Sequence, residues 1–421
     1  MKYLINKTIL LTSLALSVTL TAFFLGCASD YTGKYEMTDG TPVITFVRYQ
    51  DSELAGQLLD GAYMGDAILV IGDNLMSVQE VFFNNVKAVL NISLISKNAL
   101  FVSVPRDLPS VKTDKMYFVT AKKDTVAYDF EVKIPAPIID RMKCEYLPAG
   151  ADVVVYGDYF LATDFSLIKV FVGDYQIPTS DIVSCEKTQL VFKAPPIDIK
   201  GPLEVITLYG KSGQTKDVFR DDRGMITTFD DDYPIVAGWG RPDEATFRDD
   251  PEYALFGRYW RLTGAITESN AGAWGQLDAL CLHYWGEDNG RPTGNLFPSD
   301  PKTSTLKFEV NVVQAWSALA LQFFFHEQGT TNGPMWDNSY PVGLWMPWST
   351  NTGVVPYTTD GWITVSMPLS EFNKDNQGGT SMLSQDFPPA FGALTIVLYR
   401  GGVDGLACTP MILIDNIRVI P

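Results

Sequence analysis

Two stretches of this chain follow the same plan 85 residues apart. Ala67-Ile-Leu-Val-Ile71 runs into Gly72-Asp73-Asn74-Leu75, and Val153-Val-Val-Tyr156 runs into Gly157-Asp158-Tyr159-Phe160. Each is followed by another strand pattern, Val81-Phe-Phe83 and Ile168-Lys-Val-Phe-Val172. Each then reaches a strand that stops at proline, Leu100-Phe-Val-Ser-Val-Pro105 and Leu190-Val-Phe-Lys-Ala-Pro195. The openings match too, Pro42-Val-Ile-Thr and Pro137-Ile-Ile-Asp. Landmarks repeated in one order mark an internal duplication. Short strands at this spacing, separated by Gly, Asn and Asp turns, predict β-sandwiches. Residues 42–134 and 135–224 are therefore predicted to be two similar sandwich domains.

Residues 225–421 have a different character. All nine tryptophans lie there, at 239, 260, 274, 285, 316, 336, 345, 348 and 362. Core filling obeys the same physics in all three regions and would spread so large a residue more evenly. Glycine and proline concentrate in long connections, Gly286–Lys302 and Gly329–Thr359. Long loops on a β scaffold are where binding surfaces are built. Strand patterns recur at Phe256–Leu262, Leu277–Tyr284, Leu306–Val312, Leu319–His326, Trp362–Met367, Ala393–Tyr399 and Met411–Ile420. So many strands in one region predict a two-sheet jelly roll, and the whole chain reads as all-β.

The first 26 residues read as a secretory signal. Lys2 and Lys7 give the positive start, and Ile9–Leu20 is an apolar run too short for a comfortable membrane span. It closes on Leu25-Gly26-Cys27, which resembles the lipobox of bacterial lipoproteins; the alternative is an ordinary signal with an incidental cysteine. The resemblance implies lipidation of Cys27, with residues 27–41 as a polar tether between lipid and first domain. The formal charge is −17, and −19 once Lys2 and Lys7 are removed. Such a surface repels phosphate backbones, so no nucleic-acid partner is expected.

The candidate ligand contacts lie in the third region. In Leu319–His326, period two puts Leu319, Leu321, Phe323 and Phe325 on one face and Ala320, Gln322, Phe324 and His326 on the other. If the second face is wet, Phe324 beside Gln322 is a sugar platform: rings stack on pyranose C–H faces, and polar groups bond hydroxyls. If a loop covers it, Phe324 is packing. Trp274, in Ala271-Gly-Ala-Trp-Gly-Gln276, and Trp239, in Ala237-Gly-Trp-Gly240, have only small neighbours and are expected to keep their indoles uncovered. Tyr284 and Trp285 stand at a strand end. Trp336, Trp345 and Trp348 either meet ligand or staple the long loop, while Trp260, Trp316 and Trp362 read as packing residues. Arg400 ends an apolar strand and can bond vicinal hydroxyls or make a plain salt bridge.

With these residues in view, a family resemblance emerges. The V-x-G-D strand-turn repeats resemble IPT/TIG immunoglobulin-like domains. A pair of them, followed by a Trp-rich β domain ending in Ile412-Leu-Ile-Asp-Asn-Ile-Arg-Val419, looks like a surface glycan-binding protein of polysaccharide-utilisation systems, of the type whose C-terminal domain binds xyloglucan. The closing strands also look like those of jelly-roll carbohydrate-binding modules. The resemblance implies non-catalytic capture of a polysaccharide, a neutral plant β-glucan such as xyloglucan. It implies a lipid anchor on the outer face of an outer membrane, beside a TonB-dependent transporter and a SusD-like partner. It places the platform on Trp239, Trp274 and Phe324, with a polar contact near Arg400. The family's paired Tyr-Trp falls on Ala273-Trp274 in one placement and on Tyr284-Trp285 in another.

Two rival readings are a jelly-roll glycoside hydrolase and an adhesin or assembly protein without a glycan ligand. A hydrolase needs two carboxyls flanking one bond. Glu268, Asp278, Glu287, Asp288 and Glu327 are available, but no E-x-D-x-x-E run is present. The chain is therefore expected not to be an enzyme. No cofactor is expected either, with one alternative: Asp230 and Asp415 sharing a structural Ca²⁺. Cys144, Cys185, Cys281 and Cys408 suit disulfides or buried thiols equally, and their pairing is not readable.

Overall fold

The computed structural model describes residues 40–162, 164–233, 247–267, 303–326, 340–379 and 392–421, with the backbone alone for 281–285. The leader, Cys27 and the tether up to residue 39 lie outside the described residues. No described helix is long and apolar enough to cross a membrane. The chain divides into two compact units, 1–135 and 136–421.

The first unit is a sandwich. Val43–Tyr49, Ala67–Asp73 and Ala99–Ser103 form one sheet; Val86–Lys87, Val78–Phe83, Lys115–Thr120 and Thr125–Asp129 form the other. Strand alternation delivers the core: Val47, Ile68, Val70, Val81, Phe83, Leu100, Val102, Met116 and Phe118 are all buried. The second unit begins with the same design, Ile138–Met142, Asp152–Asp158, Gln189–Lys193 and Ile182–Glu186 facing a sheet built on Lys169–Val172 and Gly201–Thr207. The repeated glycine has a structural cause. Gly72 pairs with Ile44 beside a register shift, and Gly157 pairs with Ile139 beside another. A Cβ on either glycine would run into a carbonyl oxygen of the neighbouring strand, that of Val43 or Ile138. Both repeats thus need glycine where the bulged first strand approaches.

The rest of the second unit is a jelly roll. Among the described residues its eight principal strands are Tyr259–Thr263, Cys281–Trp285, Thr305–Gln314, Ala320–His326, Gly343–Trp345, Ile363–Pro368, Ala393–Tyr399 and Met411–Ile420. Counted along the chain, one sheet runs 1-8-3-6 and the other 2-7-4-5, with every pair antiparallel. Trp260, Leu262, Phe308, Val310, Phe323, Phe325, Ile396 and Ile414 fill the space between the sheets. Gly343–Trp345 is a strand inside the segment that sequence reading treats as a long loop.

The outer face of the first of these sheets carries the charged residues of the alternating Lys307-Phe-Glu-Val310, yet Lys307 and Glu309 are 2% and 0% exposed. Residues 143–145, just after Ile138–Met142, lie against the edge strand Ile363–Pro368: Thr364 N donates to the Lys143 carbonyl (3.0 Å), and Glu145 N donates to Thr364 Oγ1 (2.7 Å). Glu145 then bridges Lys307 (2.6 Å) and Arg418 (3.0 Å), while Arg418 also grips Glu309 (2.7 Å) and Lys307 reaches Asp217 (2.6 Å). The Ig-like domain and the jelly roll of this unit are joined through a buried ionic network.

Candidate functional site

The structure brings three of the proposed contacts together and covers two of them. Phe323 and Phe325 enter the main core, as alternation requires, and Phe324 turns to the opposite face. That face is not wet. Phe324 is 3% exposed in a second apolar cluster with Val342, Val397 and Tyr399. Gln322 is fully buried; its Nε2 donates to the carbonyls of Asn376 (3.1 Å) and Arg400. His326, also buried, meets Thr395 Oγ1 at 2.8 Å. The expected platform of Phe324 and Gln322 is thus corrected to a packed sheet face roofed in part by the loop through Asn376. Three successive phenylalanines were the available signal, since a strand buried on both faces reads as a continuous apolar run.

Arg400 stays half-buried at the rim. Its guanidinium donates to Gln377 Oε1 and lies 5.5 Å from the Tyr399 ring centroid. Among the described residues its side-chain partner is an amide, not the carboxylate of a salt bridge. Gln322 Oε1 and Arg400 Nε are both buried without a partner among the described residues, so polar capacity remains at this rim. Register places Tyr284 opposite Leu394 and Trp285 opposite Ala393, on the sheet that carries Phe324. Trp239 and Trp274 lie outside the described residues, as do Trp336, Glu268, Asp278, Glu287, Asp288 and Glu327.

The described tryptophans sort by their indole N–H. Trp316 donates to Ala318 O (2.5 Å), Trp348 to Leu319 O (2.8 Å) and Trp362 to Tyr253 O (2.6 Å). Trp260, Trp316 and Trp348 are fully buried, so Trp348 staples the loop. Trp345 is half-buried in the edge strand Gly343–Trp345.

The charge of Asp230 acts on Asp415, but among the described residues no group of three acidic, His or Cys side chains is placed to hold a metal ion. Asp230 Oδ1 instead accepts the Arg258 backbone N–H (2.8 Å). Burial first, then the charges of Glu309 and Asp230, push the Asp415 carboxyl well above the usual range. The folded chain therefore holds this proton more tightly than the unfolded chain does. Ionisation costs stability as pH rises from the ordinary aspartate range, near about 3.9. Asp415→Asn is expected to raise the melting temperature at pH 7, with the gain vanishing as pH falls to about 4. Thermal melts of both proteins across that range check it; an equal gain at every pH would assign the effect to something other than this charge. Cys144, Cys185 and Cys408 are free thiols; burial raises Cys185 to about 11.

Comparison with known proteins adds to this geometry. The family model described as "Surface glycan-binding protein B xyloglucan binding domain" matches residues 219–421, the jelly roll with its lead-in. The crystal structure of surface glycan-binding protein PbSGBP-B from Prevotella bryantii is 31% identical, covers 91% of this chain and 99% of its own, and superposes with a TM-score of 0.66. An "IPT/TIG domain-containing protein" of Bacteroides ovatus is 22% identical over 251 residues, 55% of this chain and 50% of the relative. The chain spans about half the length of that curated relative.

Proposed function

Because the chain belongs to the surface glycan-binding proteins of the B type, we propose that it captures a polysaccharide at the cell surface and performs no reaction on it. The observation that carries this reading is the match of a xyloglucan-binding domain to residues 219–421, the region that holds every tryptophan. The ligand is a neutral plant β-glucan, xyloglucan first. Residues 225–421 hold ten Lys and Arg against 22 Asp and Glu, which makes uronate or sulfate polymers poor guests. Trp239 and Trp274 supply stacking surfaces, with Tyr284-Trp285 on the adjoining strand and Arg400 as the polar contact at the rim. Cys27 carries the lipid that holds the protein at the outer membrane. The site works beside a TonB-dependent transporter and a SusD-like partner, raising local polymer concentration near the importer. No cofactor takes part.

An affinity gel containing xyloglucan, mixed-linkage glucan or pectin, paired with a reducing-sugar assay, tests this reading. Retardation by the neutral glucans without new reducing ends is expected; retardation by pectin alone, or release of reducing ends, would overturn it. At residue level, Trp274→Ala is expected to weaken binding by about 1–3 kcal/mol, by analogy with base–aromatic stacking. Its melting temperature should stay unchanged, since Gly272, Ala273 and Gly275 cannot bury an indole. Calorimetric titration and a melt decide it together.

A further inference from the structure

The geometry points to a second sugar subsite, one pyranose wide, at the open edge of the jelly roll. The two edge strands Gly343–Trp345 and Ile363–Pro368 end their respective sheets on the same side, and a cavity of about 290 Å³ opens between them. Its walls include Leu344, Trp345, Met367, Phe372, Glu371 and Lys374. Gly343 belongs to the lining because a Cβ there would run into the Phe372 ring. At this volume the cavity sits at the small end of ligand pockets, roughly 300–1,000 Å³. It has room for a ring and none for a run of polymer.

The chemistry of the walls selects the guest. The Trp345 ring is held by Phe308, Trp316 and Tyr357 at centroid distances of 5.6, 5.4 and 6.0 Å, so it is fixed before any ligand arrives. Among the described tryptophans only Trp345 has an indole N–H that is neither donated nor sealed from solvent. Among the described residues Glu371 and Lys374 make no side-chain hydrogen bond or ion pair. Trp345, one carboxylate acceptor and one ammonium donor thus line a cavity whose other walls are apolar and aromatic. A pyranose has the complementary pattern, with apolar C–H faces and hydroxyls that both donate and accept. The two wall charges are opposite in sign, which favours a neutral ring over a charged one.

The subsite is distinct from the rim at Arg400 yet next to it. The loop that supplies Glu371, Phe372 and Lys374 continues to Asn376, whose carbonyl accepts from Gln322, and its Lys374 backbone pairs with Val342 beside Phe324. A guest in the cavity is therefore a branch or a chain end of the glycan held nearby, an assignment that rests on the glycan-binding reading above.

The test uses residues 28–421, the mature chain without its lipidated Cys27, labelled with ¹⁵N. Nine tryptophans give nine indole cross-peaks, and Trp345→Phe, which keeps an aromatic ring in its nest, identifies one of them. Methyl α-D-xylopyranoside and methyl β-D-glucopyranoside are titrated to about 100 mM, enough to saturate a site with a millimolar Kd. The Trp345 peak is expected to move saturably with at least one of them. Glu371→Gln, which keeps an acceptor oxygen but removes its charge, is expected to weaken that titration about fivefold, the difference between a charge-assisted and a neutral hydrogen bond. An unmoved Trp345 peak with both glycosides, or an unchanged titration in Glu371→Gln, overturns the subsite. The gel separates the two readings: polymer retained with an unmoved peak removes only the subsite, whereas a moving peak with no polymer retained removes the proposed function.

Discussion

Glu145→Ala is expected to destabilise the 136–421 unit by about 3–5 kcal/mol, the usual cost of removing one partner from a buried ion pair. Glu145 lies in the Ig-like domain, but its two oxygens serve the jelly roll, one at 2.6 Å from Lys307 Nζ and the other at 3.0 Å from Arg418 Nη2. Lys307 is 2% exposed and Arg418 0%. Truncation leaves Arg418 shared with Glu309 alone and Lys307 dependent on Asp217, which is 38% exposed. The charges stay where they are, and water does not reach them cheaply. Asp152→Ala, which removes an exposed partner of Lys193, is the control and should leave unfolding nearly unchanged. Urea denaturation of both variants at pH 7 measures the difference. A loss below about 1 kcal/mol for Glu145→Ala would mean that the network is solvated and contributes like a surface pair. The same network implies that 136–421 is the smallest piece with native pairing, because 225–421 alone would expose or orphan Lys307 and Arg418.

Local pattern carried most of the architecture. The V-x-G-D repeat marks the duplicated strand-turn because a fixed steric demand, the carbonyls of Val43 and Ile138, recurs in both copies. Seven of the eight jelly-roll strands stand out by their apolar runs; Gly343–Trp345 escapes because three residues carry too little periodicity. Local pattern stops informing where a neighbour distant in sequence decides the environment. Lys307-Phe-Glu alternation describes a strand with one wet face, and only the approach of Glu145, 162 residues away, makes that face an interface. Gln322 and Phe324 carry the same ambiguity, platform or packing. Their face looks polar and aromatic whether it meets a ligand or packs, and here Gln322 bonds the loop through Asn376 while Phe324 packs against Val342, Val397 and Tyr399. The signal that separates tryptophans, the partner of the indole N–H, is a tertiary property and leaves no trace in composition.

Trp316→Ala is expected to cost about 3–5 kcal/mol, the range for removing a large aromatic from a core, and its consequences should extend beyond stability. The side chain is fully buried between the sheets, its N–H bonds Ala318 O, and its backbone exchanges both hydrogen bonds with Tyr357. Its ring centroid is 5.4 Å from that of Trp345, whose nest it completes together with Phe308 and Tyr357. Deleting it removes one wall of the support that holds Trp345 at the cavity. A variant that still folds should therefore lose the saturable shift of the Trp345 indole peak or show it broadened, while Trp274→Ala should leave that shift intact. Urea denaturation gives the stability term and the glycoside titration gives the local one. If Trp316→Ala folds with wild-type stability and an unaltered Trp345 titration, the tryptophan cluster is a set of independent contacts and the fixed aromatic floor loses its physical basis.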